Sequence, residues 1–178
     1  MGRISQFWEC MTPEIKNLMA DLSGCNLSSA EIDSKPLANE GNNIVVFGER
    51  FGSGVQDMQY GLKKVSIRVF DITVNGVYLN FDEKVALCQK HGVEMVPILY
   101  RGPISKQKIE EYTDGPSLVC AEGNYNYFTG REGIVILTTV ERPAITRKKA
   151  MSRCQFKSIS FDYSNRAAKH KKVKCTED

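Results

Sequence analysis

The chain has no apolar run approaching the length needed to cross a bilayer. Its N-terminus carries no apolar stretch followed by a small-residue cleavage site, so nothing marks it for secretion. Both absences predict an intracellular, cytoplasmic protein with no membrane partner. The cysteines are too scattered for a zinc knuckle. No two of the six lie within four residues of each other, and the two histidines, His91 and His170, stand in no ligand cluster. Free, reduced thiols are the expectation. No G-x-x-x-x-G-K-[ST] segment follows Gly52 and Gly54, which excludes a P-loop and leaves those glycines a tight turn to build. Internal repeats are absent, as is low complexity outside the basic C-terminal end.

What is present is an ordinary globular composition. With 178 residues, 42% of them hydrophobic and 25% charged, the chain can bury one real core. The net charge of +3 is unevenly spread. From Arg142 to Lys174, the residues Arg142, Arg147, Lys148, Lys149, Arg153, Lys157, Arg166, Lys169, Lys171, Lys172 and Lys174 are accompanied by a single acid, Asp162. Such an end suits a polyanion. Residues 166–178 read as a basic, flexible tail and residues 1–165 as one domain.

Apolar periodicity organises that domain. Phe7, Met11, Ile15, Leu18, Met19 and Leu22 recur at helical spacing, with Thr12-Pro13 as cap and first helical residue and Ser23-Gly24 as the stop. Residues 24–43 read as a polar loop with one helical turn, Ser28 and Glu31 standing at capping-box spacing. Ile44 to Gly48 reads as a buried strand, and 50–61, with its glycines, as a loop. Val65, Ile67 and Val69 alternate as a strand does, and Asn75-Gly76 predicts a hairpin returning through Val77 to Leu79. A helix is expected over 82–90 with Val85 and Leu87 packing, then a strand over 93–100, and a helix over 105–112 capped by Ser105. The last two strands are expected at 133–140 and 155–161. Hairpins and strand runs outnumber βαβ units, so the fold class is α+β with largely antiparallel sheets and packed helices.

Four short segments place a charge at the edge of an expected strand: Val46-Phe47-Gly48-Glu49, Val69-Phe70-Asp71-Ile72, Arg131-Glu132-Gly133-Ile134-Val135 and Phe156-Lys157-Ser158-Ile159. Acids can hold a divalent cation through oxygen, and a lysine can neutralise a phosphate. Together they suit phosphoryl or nucleotidyl transfer, where positioning and charge neutralisation dominate.

In order and spacing, these segments resemble the RNA-ligase branch of the covalent nucleotidyltransferases, a superfamily that also holds DNA ligases and mRNA capping enzymes. The loop Phe47-Gly48-Glu49-Arg50-Phe51-Gly52-Ser53-Gly54-Val55-Gln56, closing on Tyr60-Gly61, looks like the RNA-ligase form. The resemblance runs from about Ile44 to Ile159 and implies a single nucleotidyltransferase-like domain. It implies ATP, held as AMP, and Mg2+ as cofactors, and RNA as the partner. Glu49 matches the glutamate on the ribose, Phe70 the aromatic stacked on adenine, and Asp71 the acid beside it near phosphates and metal. Glu132 matches the glutamate that serves the metal at the α-phosphate, and Lys157 a lysine on that phosphate. Arg3 matches an arginine that contacts nucleotide or RNA, and Arg153 in the basic stretch is expected on RNA as well.

The sequence departs from the family twice. A second lysine is common two positions after the first, and here that position is Ile159. The family's nucleophile is the lysine of a K-x-[DEN]-G segment, and no lysine in this chain is followed by that pattern. The resemblance therefore implies an N-terminally truncated domain. It would be a fragment or subunit of an ATP-dependent RNA ligase of the kind that serves RNA repair, unable to self-adenylylate alone, its lysine segment lying upstream or on a second chain. The alternative is a catalytically inactive module that binds nucleotide or RNA.

Overall fold

The computed structural model describes residues 10–24, 41–55, 60–120, 128–145 and 151–165. The architecture is α+β: helices packed on antiparallel strands, grouped into two compact units. One unit comprises 1–51, 64–96 and 139–142, and the other 52–63, 97–138 and 143–178.

In the first unit, helix α1 (Pro13–Ser23) starts where the sequence says. Thr12 accepts a hydrogen bond from the Ile15 N–H at 3.4 Å, proline opens the helix, and Gly24 closes it with φ of 70°. Strands β1 (Ile44–Gly52), β2 (Val65–Val74) and β3 (Val77–Tyr78) form a sheet in that order. Asn75 and Gly76 turn the β2–β3 hairpin with φ of 53° and 78°, the left-handed pair that matches strand twist. Helix α2 (Phe81–His91) follows. Glu83 accepts the Asn80 N–H at 2.8 Å, and the Asn80 side chain accepts from the Glu141 N–H at 2.9 Å, tying 139–142 to the helix start. The core gathers Ile15 and Leu18 of α1, Val69 and Ile72 of β2, Cys88 of α2, and Val93. Burial of a side chain such as Leu18 stabilises by about 2 kcal/mol. It also pushes the Cys88 thiol pKa up, through desolvation, in keeping with an inert packing role.

Asn42 and Asn43 stitch this unit together. The Asn42 N–H donates to the Ser23 carbonyl at 3.1 Å and its side-chain amide to the Leu22 carbonyl at 3.0 Å. The Asn75 N–H reaches the Asn43 carbonyl at 2.7 Å, and the Asn75 side-chain oxygen accepts the Asn43 N–H at 2.8 Å.

In the second unit, helix α3 (Lys106–Thr113) is capped by Ser105, whose hydroxyl accepts the Lys108 N–H at 3.2 Å. Strands β4 (Gly133–Leu137) and β7 (Gln155–Ile159) form one antiparallel ladder; β5 (Pro143–Ile145) and β6 (Met151–Arg153) form another. Helix α3 packs on the β4–β7 ladder, where the Thr113 hydroxyl donates to the Ser158 hydroxyl at 2.7 Å.

Three expectations are corrected. Strand β1 continues to Gly52, so 50–52 is strand and not loop, and most of its residues are half-buried, with full burial only at Phe51 and Gly52. The strand expected over 93–100 reduces to one parallel bridge, Val69 with Met95, because residues 97–100 find no ladder partner. In α2 the fully buried residues are Lys84 and Cys88, spaced i, i+4; Leu87 packs half-buried against the core as expected, while Val85 is half-buried outside that cluster. Strands β5 and β6 were not anticipated. The turn expected near Ser28 lies outside the described residues, as do Phe7, Arg3 and the tail 166–178.

Candidate functional site

On the first unit, Glu49 stands exposed on β1. Phe70, on β2, is 37% exposed. Its ring lies 6.3 Å from that of Phe47, which stacks on Tyr78 at 5.8 Å. The three rings line one face of the β1–β2–β3 sheet, held open to solvent.

Asp71 is different. Successive residues of a strand point to opposite faces, and Asp71, 4% exposed, faces inward where Phe70 faces out. Its carboxylate meets the ammonium of Lys84 at 2.5 Å. Lys84 is itself 2% exposed and donates also to the Phe70 carbonyl at 2.8 Å. Two charges removed from water in this way must be paired to be tolerated. The expectation that Asp71 stands beside phosphates and metal thus meets a carboxylate already held by a buried lysine. Lys84 was missed in the sequence because a helical lysine ordinarily reads as a solvated face. The available signal was its i, i+4 spacing to Cys88.

On the second unit, Lys157 belongs to the β4–β7 ladder and Glu132 immediately precedes its first pair. Lys157 is exposed and sits opposite Val135; Ile159 sits opposite Gly133. The Glu132 carbonyl accepts the Ser160 N–H at 2.9 Å, so the ladder's hydrogen bonding runs one pair past its end. Gly133 has φ of 142°, and a Cβ there would collide with the Ser158 carbonyl. Only glycine fits at this first position of β4, directly after Glu132. Among the described residues, no hydrogen bond or ion pair holds the side chain of Glu132 or of Lys157. Val135 and Ile159 flank Lys157 with 59% and 55% exposure, leaving an open, largely apolar face around one ammonium.

Arg131, quoted with its segment but given no role by the sequence, is a fixed part of this unit. Its guanidinium donates to the Tyr112 carbonyl at 3.0 Å, its backbone N–H donates to the Gly115 carbonyl at 2.9 Å, and its Nε is buried without a partner. Arg153 lies half-buried on β6, opposite Pro143.

Neither a metal cluster nor a membrane span is found among the described residues: no three His, Cys, Asp or Glu side chains are grouped to hold an ion, and no helix is long and apolar enough to cross a bilayer. A pocket of about 380 Å³ in the first unit, lined by residues including Thr12, Glu14, Ser66, Ile67 and Gly92, contains none of the candidate residues.

No curated protein matches the sequence. Among solved structures, the chain is similar to Naegleria gruberi RNA ligase with PPi, at 26% identity and a TM-score of 0.52, over 71% of this chain and 35% of that one. An arginine-to-alanine mutant of the same ligase with ATP and Mn gives 26% identity and a TM-score of 0.52, over 70% and 34%. A glutamate-to-alanine mutant with ATP and Mn gives a TM-score of 0.51 over the same shares. The chain therefore spans about a third of the length of the ligases it matches. The family model for RNA ligase matches residues 10–159, which includes both units and all four charged segments. The chain belongs to the RNA ligase family.

Proposed function

We propose that this chain supplies nucleotide, metal and RNA contacts for an ATP-dependent RNA ligase that joins a 5′-phosphate to a 3′-hydroxyl, and that it does not adenylylate itself. The observation that carries the reading is the β4–β7 ladder. It presents an acid and a lysine, Glu132 and Lys157, uncommitted to any partner among the described residues, within the family match. The similar ligase structures with ATP and Mn support nucleotide and divalent metal as ligands here. No lysine among these 178 residues has the K-x-[DEN]-G context, so in this reading the nucleophile lies outside them, or the adenylate arrives already attached to RNA.

In the step this chain serves, the 3′-hydroxyl oxygen attacks the phosphorus of an adenylylated 5′ end. A bond forms from the 3′ oxygen to phosphorus, the phosphoanhydride bond breaks, and AMP leaves with that electron pair while the hydroxyl proton is lost. Lys157 neutralises the phosphate. Glu132 would hold the divalent cation. One unpaired carboxylate fits Mg2+, which binds through one or two carboxylates together with substrate phosphates and water. The ion, when bound, supplies Lewis acidity to the phosphoryl oxygen. Phe70 stacks on adenine and Glu49 receives the ribose. Arg153, with Arg3, contacts RNA. Asp71 holds the Phe70 segment through Lys84 and leaves the metal to Glu132.

The test has two arms. Labelled ATP with magnesium gives no covalent label on this chain, and a labelled lysine overturns that half of the reading. Pre-adenylylated RNA with a 3′-hydroxyl acceptor is sealed by the chain, and Glu132→Ala lowers the rate by about 100-fold or more. Equal rates for both proteins, or binding of the RNA without sealing, overturn the catalytic half.

A further inference from the structure

The segment from Pro97 to Pro103 has no ladder hydrogen bonds, yet it holds one aromatic ring in a fixed, outward position. Tyr100 is 41% exposed. Its ring stacks on Tyr112 of α3 at 5.5 Å and 23°. Its hydroxyl donates to the Pro103 carbonyl at 3.3 Å. Gly102 has no side chain where a Cβ would collide with the Tyr100 hydroxyl, so the loop can fold under its own ring. Lys108 places its ammonium 5.4 Å from the Tyr100 centroid and 5.6 Å from that of Tyr112, steadied by Glu111 at 2.8 Å. A half-exposed ring held by stacking, a hydroxyl bond and a cation is a surface prepared in advance, and preorganisation lowers the entropic cost of binding.

The other side of the cluster leads to the proposed chemistry. The Tyr112 carbonyl accepts from the Arg131 guanidinium at 3.0 Å, and Arg131 is the residue before Glu132. The stacked pair is therefore anchored one residue from the acid that holds the metal in the reading above.

We propose that the exposed face of Tyr100, with the Lys108 ammonium beside it, is a stacking platform for an unpaired base of the RNA strand being joined. This rests on the proposed function and adds a site to it. Every base has a π face, so a tyrosine receives it without regard to sequence, and a neighbouring ammonium receives the phosphate that accompanies it. An ammonium set over two aromatic faces favours a ligand that is both flat and anionic.

The experiment uses the full chain and a fluorescein-labelled single-stranded oligoribonucleotide, read by anisotropy. Tyr100→Ala weakens binding by about 5- to 150-fold, and Tyr100→Phe restores it, because the ring and not the hydroxyl stacks. Ultraviolet crosslinking of the unmutated chain to 4-thiouridine RNA yields an adduct on the peptide containing Tyr100, a readout independent of any variant's folding. Unchanged RNA affinity in Tyr100→Ala, with crosslinks elsewhere, overturns the proposal. If that variant also melts earlier, the cluster is a clamp on its loop and nothing more. AMP binding measured in parallel separates the two readings. A chain that binds AMP but no RNA loses the platform and keeps its nucleotide site, and a chain that binds neither loses both.

Discussion

Each of the two units carries an acid and a lysine that the sequence singles out or conceals, and the two pairs are opposites. Asp71 and Lys84 are buried, in contact, and satisfied by each other. Glu132, just before β4, and Lys157, on β7, have side chains held by nothing among the described residues. A charge pair that has neutralised itself out of water can fix a strand but has little left to offer a ligand. Charges left at a strand edge do little for stability and remain available for phosphate and metal. The same residue types thus perform structural work in one unit and stay uncommitted among the described residues of the other, and full burial with mutual pairing is what separates them.

The largest effect expected breaks the first pair. Lys84→Met leaves Asp71 buried without its lysine and costs about 3–5 kcal/mol in chemical denaturation. The double variant Lys84→Met, Asp71→Leu recovers most of that loss, because an apolar pair of similar volume replaces both charges. If the double variant is as unstable as the single one, the pair is not the source of the cost. The second pair sharpens the contrast in the other direction. Lys157→Ala, at an exposed position, changes unfolding stability by less than about 0.5 kcal/mol, and Glu132→Gln, which removes the charge of a half-buried side chain but keeps its shape, by about 1 kcal/mol or less. Sealing of pre-adenylylated RNA falls by about 100-fold in each. Next comes Phe70→Leu, which keeps an apolar side chain on β2 but removes the stacking face. Loss of about 1–3 kcal/mol in AMP affinity, by titration calorimetry, is the expected outcome.

The smallest effect concerns a surface pair joining α1 to α2. Asp21 accepts from Lys90 at 2.7 Å and contacts His91 at 2.9 Å, and these bonds, Lys90 first, hold its carboxyl below the usual range. A carboxyl depressed in the folded state contributes stability above its unfolded value of about 3.9, and loses it as pH falls through the lower folded value. Thermal melts at decreasing pH should show the parent losing slightly more on acidification than Asp21→Asn. Parallel curves would assign no role to the pair.

Much of this fold was legible because local chemistry and tertiary structure agree. Thr12-Pro13, Asn75-Gly76, Ser105 and Gly92 each mark a boundary through backbone requirements that no tertiary contact overrides. The failures occur where a partner decides. Residues 93–100 are apolar enough for a strand, but a strand exists only if another edge is free to pair with it. Lys84 carries the charge of a surface residue, and only the position of Asp71 across the core explains its burial. The candidate site divides the same way. The ordered segments and the RNA-ligase resemblance were readable from residue identity. That Asp71 turns away from Phe70 follows from strand alternation, and that its carboxylate is occupied required knowing what α2 brings to it.

The bonds from Asn42 to Ser23 and Leu22 have a practical consequence. They hold Asn42 on the last turn of α1, while Asn75 holds Asn42 and Asn43 from the hairpin side, so one short polar clasp ties the helix end, the start of β1 and the β2–β3 turn together. A spectroscopic probe at Asn43 would therefore report on helix, strand and hairpin at once.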